Sequence, residues 1–386
     1  MIVIYVEYYY GNFFFMVWIA YVLLPILDFL IPLDHFNLSE ERVRRYEKDD
    51  RFLVPLYVTW FMDFGMYFSL LYRVSTGTAG ATLHDLILYA VCAGQIGAVN
   101  ATVGHELFHR REKIHKITGT LCYFKMIYAH FFIQHLRFHH KFVATPVDPS
   151  TALKGESLYY FLFRTIPQGI YGTTLIEDQR VQATGVTSYL GRVLKNRVFL
   201  FHLAQIVYLA GVIYFCGMRT FYFHLLYSFT IVMMLEVINY IEHYGLLRNP
   251  LEKAADGSVT AWESVSIKHS WNAPQVVTNL LLFKLQRHSD HHANAYKPYQ
   301  ILESYPESPM LPFGYTVSLV ISYFPFIWRK VIDPLADSAN KSEKMQEEVR
   351  KANELWIIGT LVAVSTVLTY ICFFVYGFKY QFSPLQ

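Results

Sequence analysis

Nine of the chain's 16 histidines fall in four short windows. HELFH carries His105 and His109, and QHLRFHH carries His135, His139 and His140. NYIEHYG carries His243, and LQRHSDHH carries His288, His291 and His292. Neutral imidazole is the commonest protein ligand for a metal. Nine are too many for one ion, so the windows predict two ions in an all-nitrogen shell. His105 and His109 are four apart, which puts both on one helix face. HELFH also fits the HExxH pattern of zinc proteases, in which the Glu is a general base. Such a site needs only two or three more ligands, and this chain offers seven. In HxxxHH and HxxHH, spacings of three and four return side chains to one face, while the adjacent histidine can reach a second ion. His243 follows Asn239, Tyr240 and Glu242 at the end of an apolar run and joins the set.

The remaining histidines read differently. His130, His202 and His224 sit in apolar runs and are expected to be hydrogen-bonded structure. His35, His84 and His115 look like interface or loop residues, and His269 in HSWN is placed behind the ligands. A metal-bound imidazole usually gives its other ring N–H to a carboxylate or carbonyl. Glu106, Glu242 and Asp290 lie beside the windows and are the candidates for that role. Asp28, Asp63 and Glu236 fall inside apolar runs, where an ionisable group should face the bundle interior.

An imidazole shell suits Zn, Cu, Fe or Ni. Zinc does no redox chemistry. Two ions beside lipid, with no charged substrate-binding pattern, suit O2 chemistry on an apolar molecule, so iron is the expected metal. The expected reaction replaces hydrogen with hydroxyl at an unactivated C–H bond. The protein's share is to hold the metals, exclude water and present one carbon of the chain.

The elements that must position these groups are apolar. The chain is 54% hydrophobic and 16% charged, against about 25% charge in soluble chains. A net charge of +3, with no basic run interleaved with aromatics, gives no footprint for nucleic acid. The four cysteines have no CxxC spacing, which excludes a disulfide framework, a zinc ribbon and a fused rubredoxin. No cleavable signal is evident. Six runs approach the ~20 residues a spanning helix needs: 12–33, 53–72, 83–104, 198–217, 221–241 and 356–378. The shorter run 119–133 is expected to lie in the interface, leaving the first two histidine windows on one side. Lys and Arg concentrate in 34–52, 105–197 and 242–355, so the positive-inside rule turns those segments, and every window, to the cytoplasm. A helix is expected over 274–287, and a solvated helix or linker over 338–354. The expectation is a single all-α integral membrane domain over 1–386. It has about six transmembrane helices and a cytoplasm-facing di-iron site, and 338–386 forms a charged linker plus an extra C-terminal span.

NATVGHELFHRRE, HLRFHHKFVATPVDPSTA, NYIEHYGLLR, HSWNAPQVVTNLLLFKLQRHSDHH and LPFGYTVSL…YFPFIWRKVIDP resemble the membrane-bound alkane monooxygenases, or alkane hydroxylases. These are relatives of the membrane fatty-acid desaturases and hydroxylases. The resemblance runs from about residue 15 to about 337. It implies a helical membrane enzyme with two irons held by the nine histidines named above. It further implies terminal hydroxylation of medium-to-long alkyl chains. Electrons would come from a rubredoxin or ferredoxin and its NAD(P)H-dependent reductase. Three positions depart from the family's pattern: Gln134 replaces Glu, Phe138 replaces Gly, and Arg110 replaces Lys. The family's usual first span is expected to be absent, and Phe138 is expected to affect access of substrate or O2.

The leading expectation is O2-dependent hydroxylation of a terminal methyl group on an alkane or fatty acyl chain. One alternative is desaturation or hydroxylation of a lipid-bound acyl chain. Another is a non-catalytic scaffold in a membrane complex, which retention of all nine histidines opposes. A bacterial inner membrane, the endoplasmic reticulum and the mitochondrial inner membrane all remain open as the location.

Overall fold

The computed structural model describes residues 14–343 and 347–377. Among them the regular elements are helices, joined by loops, and one antiparallel hairpin, β1 Pro250–Lys253 and β2 Val259–Trp262. The helices are α1 Phe15–Leu30, α2 Glu40–Tyr46, α3 Leu53–Ser75, α4 Leu83–Phe108 and α5 Lys113–Lys125. An irregular helix over 131–142 is α6, followed by α7 Leu158–Gln182, α8 Tyr189–Lys195 and α9 Arg197–His243. Then come α10 Val276–Leu281, α11 His288–Ala293, α12 Gly314–Ser322, α13 Pro325–Lys341 and α14 Glu347–Tyr370.

Among the described residues, three helices are long and apolar enough to cross a bilayer: Leu83–Phe108, Arg197–His243 and Lys351–Tyr376. α4 opens on a capping box. Thr82 Oγ1 accepts the Asp85 N–H at 3.1 Å, and Asp85 Oδ2 accepts the Thr82 N–H at 3.2 Å. α9 has 47 residues, about 70 Å at 1.5 Å per residue, more than twice the ~30 Å hydrocarbon core. It breaks at Gly217, where φ is 83° and ψ 166°. That backbone is open to glycine because no Cβ intervenes. The two halves match the apolar runs 198–217 and 221–241.

Large apolar side chains stand exposed along the long helices, among them Phe61 on α3, Phe215 on α9 and Val362 on α14. An exposed apolar surface of this extent marks contact with lipid or protein. Inside, aromatic residues fill two cores. One gathers Tyr67, Tyr89, Tyr123 and Tyr227 between α3, α4, α5 and α9. The other gathers Tyr240, Tyr244, Trp271 and Trp328 around the end of α9. The three intrahelical carboxylates face inward, as expected. Lys125 Nζ and Asn100 Nδ2 both donate to Asp63 Oδ2. Tyr128, Thr165 and Asn239 donate to Glu236, and Thr278 donates to Asp28.

Three expected elements come out shorter. The run 119–133 is not one helix: α5 stops at Lys125, and Ile127 takes φ 60° before α6 begins. The helix expected over 274–287 covers only Val276–Leu281, because Phe283 and Lys284 adopt φ 50° and 55°. There the Lys284 N–H turns back to the Asn279 carbonyl at 2.7 Å. The charged stretch 338–354 is divided: α13 ends at Lys341 with Ser342 left-handed, and 344–346 lie outside the described residues. α4 and α5 cross at Gly104 and Gly119. A Cβ on Gly119 would lie 2.7 Å from the Gly104 carbonyl oxygen, so only glycine lets α5 approach the end of α4 that carries His105.

Candidate metal centre

The histidines arrive from four elements. His105 and His109 end α4. His135, His139 and His140 come from α6, His243 ends α9, and His288, His291 and His292 come from α11. The structure brings all nine together as two groups. One is His105, His109, His135, His140 and His291, and the other is His139, His243, His288 and His292.

The local winding of α6 decides who joins which group. Residues Gln134–His139 form a π-helical turn. Its i→i+5 bonding stacks residues five apart, so His135 Nε2 and His140 Nε2 meet at 3.0 Å. α6 thereby departs from the α-helical spacings of three and four: His139, four from His135, goes to the other group. α11 is α-helical, but here too the expected partition changes: His291, three from His288, leaves its group and the adjacent His292 stays. His288 and His292, four apart, share a group with Nε2 atoms 3.0 Å apart, and His291 turns to the five-nitrogen group.

The donor spacing fits a metal. His109 and His135 Nε2 are 3.0 Å apart, His140 and His291 3.2 Å, and His243 and His288 3.2 Å. Bonds of about 2.1 Å to one ion would place neighbouring donors about 3.0 Å apart at right angles and about 3.4 Å apart at tetrahedral ones. The buried His105 Nε2 and His139 Nε2 have no hydrogen-bond partner, and an unpaired polar atom at that depth is costly. Burial, reinforced by neighbouring imidazoles, pushes His135, His140, His288, His291 and His292 well below the ordinary imidazole value. The neutral imidazole so favoured is the metal-binding form.

Behind the donors the partners differ from those expected. His139 Nδ1 lies 2.8 Å from Asp148 Oδ2, a carboxylate the sequence reading did not single out. Asp148 is fixed in turn by Thr151 Oγ1 at 2.7 Å and the Ser150 N–H at 3.1 Å. An Asp two residues before a Ser that can close a turn on it was the available signal. Of the three predicted carboxylates, only Glu242 meets a histidine, with Oε2 3.3 Å from His288 Nε2. Glu106 instead accepts from Arg110 Nη2 at 2.8 Å and the Tyr299 N–H at 3.2 Å. Asp290 accepts from Lys297, Asn294 and the Glu303 N–H, so it folds the following loop rather than orienting a ligand. His269 lies behind His243 through its carbonyl, 3.5 Å from His243 Nδ1, while its ring faces Glu263. Two further residues hold α11 in place. Asn272 accepts the Ser289 N–H at 2.8 Å, and Arg287 reaches Asp34, Phe36 and Leu302.

The departures at Gln134 and Phe138 are accommodated by α7. A Cβ on Gly172 would lie 2.2 Å from Phe138 Cε1, and one on Gly169 2.6 Å from the Gln134 amide. Phe138 therefore packs under α7, and it is not among the residues lining the cavity beside the histidines. The expected effect of Phe138 on substrate access has no support in that placement.

That cavity, about 170 Å³, has walls from α1, α4, α9 and α12, including Leu24, Ala98, Leu235 and Leu319. His105, His135, His288 and Glu242 form its polar end. On the other side, a polar pocket of about 520 Å³ reaches His109, lined by Lys48, Arg110, Arg111 and Lys297 and by the carboxylates Glu47, Asp50, Glu106 and Glu112.

Comparison with known proteins agrees with this site. A family model described as fatty acid desaturase matches residues 82–312, which span all nine histidines. The alkane 1-monooxygenase of Pseudomonas putida is 35% identical over 316 residues, covering 81% of this chain and 75% of that protein. The chain belongs to the alkane monooxygenase family, within the fatty acid desaturase superfamily. Alkane 1-monooxygenase 2 of Pseudomonas aeruginosa is 32% identical, covering 85% of each chain. At 24% identity, the hydroxylase component of xylene/toluene monooxygenase from Pseudomonas putida covers 85% of this chain. As an alkane monooxygenase family member with three long apolar helices, the protein is an integral membrane protein.

Proposed function

We propose that this protein hydroxylates the terminal methyl group of an alkane or fatty acyl chain, using O2 and two irons held by the nine histidines. The observation that carries the reading is the cavity itself. An almost wholly apolar pocket ends on His105, His135 and His288, so an alkyl chain lying in it would present its tip to both histidine groups. When bound, the irons would supply O2 reduction and the oxidation of a C–H bond. His105, His109, His135, His140 and His291 would hold one, and His139, His243, His288 and His292 the other.

The chain's own residues supply the rest. Leu24, Leu235 and Leu319 bind the hydrocarbon and exclude water. Asp148 fixes the His139 ring so that Nε2 faces the four-nitrogen group. Lys48, Arg110, Arg111 and Lys297, around the polar pocket that reaches His109, form the side on which an external rubredoxin or ferredoxin would deliver electrons. In this reading the six apolar runs span the bilayer and the centre faces the cytoplasm. Relatives named alkane 1-monooxygenase support the substrate class. The test supplies membranes containing the protein and a rubredoxin system with a series of alkanes and fatty acids, and identifies products by mass spectrometry. Terminal alcohols are expected. No oxidation of any member of the series by iron-loaded protein contradicts the reading.

A further inference from the structure

The apolar cavity has polar groups at both ends. Along α4 its lining runs from His105 back to Gln95, about 15 Å at 1.5 Å per residue. At that far end sits a small polar cluster. Tyr21, on the π-helical turn Ile19–Leu23 of α1, places its hydroxyl 3.3 Å from Gln95 Oε1, 3.4 Å from Met234 Sδ and 3.5 Å from the Tyr323 hydroxyl. Both oxygen contacts are long beside the ~2.7–2.8 Å of an ordinary O–H···O bond. Gln95 Nε2 has no acceptor among the described residues. Turning the amide over only exchanges which of its two polar atoms is left free. Asn239, Thr278 and Thr316 also line the cavity, but they donate to Glu236 and Asp28.

An unused donor facing a hydrocarbon cavity is costly, and an alkane cannot satisfy it. No lysine or arginine lines the cavity among the described residues. Gln95 also stands midway along α4, a helix long enough to cross a bilayer, where an ionised group is expensive. The ligand atom that suits this end is therefore an uncharged oxygen. We propose that the cavity takes a chain of about twelve carbons ending in a neutral alcohol or ester, whose oxygen accepts from Gln95 Nε2 while the methyl end lies at His105, His135 and His288. About 15 Å holds about twelve carbons of an extended chain built from C–C bonds of about 1.5 Å. This inference rests on the reading that the cavity holds the chain being hydroxylated. Dodecanol would then give the α,ω-diol. One oxygen atom of O2 enters the terminal C–H bond, and the other leaves as water with two electrons from the external donor and two protons.

The test uses membranes containing the wild type or Gln95→Leu, each with a rubredoxin system. Dodecane, dodecanol, methyl dodecanoate and dodecanoate are offered in pairs, so that competition gives ratios of kcat/KM, and products are identified by mass spectrometry. The wild type should oxidise dodecanol and the ester at the far methyl of the chain, in preference to dodecane and dodecanoate. Gln95→Leu should lower the dodecanol-to-dodecane ratio about 3–10-fold, the worth of one hydrogen bond. An unchanged ratio overturns the proposal. So does oxidation of dodecanol at its hydroxyl carbon, which would put the oxygen at the histidine end. If Gln95→Leu does not fold, the wild type decides: dodecane or dodecanoate oxidised as well as dodecanol overturns it. Oxidation of dodecane with no preference for the oxygenated chains removes this proposal and leaves the hydroxylase reading standing. No oxidation of any of the four removes both.

Discussion

His139 and Asp148 are nine residues apart, and their side chains meet at 2.8 Å in a fully buried pair. The contact leaves His139 Nε2 unpartnered and pointed at His243 and His292, whose rings lie 4.7 and 4.9 Å away. Loss of such a partner typically weakens metal binding about 10–100-fold. Asp148→Asn is therefore expected to lower the affinity for one of two irons by about that factor, with the other unaffected. Competitive chelation monitored by iron content measures it. Equal affinity in variant and wild type would contradict the role assigned to Asp148.

Packing of α6 under α7 gives a second expectation. Gly172→Ala would set a methyl group 2.2 Å from Phe138 Cε1, and overpacking of this kind costs about 1–3 kcal/mol. Thermal unfolding in detergent should show the loss. Adding Phe138→Ala should recover part of it, since the added methyl then has no ring to meet. Strictly additive losses in the double variant would show that the two residues do not compete for one space.

Lys125 and Asp63 form a buried ion pair, joined by Asn100, with Lys125 Nζ 5.0 Å from the Phe64 ring centroid and 5.4 Å from that of Tyr67. Removing one partner leaves a charge without compensation, at a cost of about 3–5 kcal/mol. Lys125→Met should thus destabilise the fold more than the double change Lys125→Met with Asp63→Asn. Unfolding midpoints of the three proteins check this ordering.

Ala98 lines the cavity seven residues before His105 on α4, about 10 Å along the helix at 1.5 Å per residue. Ala98→Phe is expected to obstruct the cavity at that depth. Activity on long alkanes should fall at least about tenfold, with short ones retained. Product yields across chain lengths measure the effect, and a uniform loss at every length would contradict it.

Much of the centre was legible in the sequence because ligand identity depends on residue type and spacing. His105 with His109, and His288 with His292, obey helical spacing and fall where that spacing puts them. The partition of His135, His139 and His140 was not legible: it depends on a π-helical turn, and nothing in QHLRFHH distinguishes π from α winding. Asp148 was hidden for a related reason, since the loop that returns it to His139 is a tertiary outcome. Glu106 and Asp290 drew notice through adjacency to histidines, yet adjacent residues on a helix point about 100° apart, and both turned to cations instead. Apolar runs located the long helices, whereas the left-handed residues Ile127, Phe283 and Lys284 ended helices the composition would have continued.

Counting iron in single-histidine variants tests the centre most directly. His140 belongs to the five-nitrogen group and His292 to the four-nitrogen group. Purified wild type should carry two irons per chain, while His140→Ala and His292→Ala should each retain only the iron of the intact group. A wild type holding a single ion, or variants that keep the full wild-type content, would contradict a centre built from two separate sets of imidazoles.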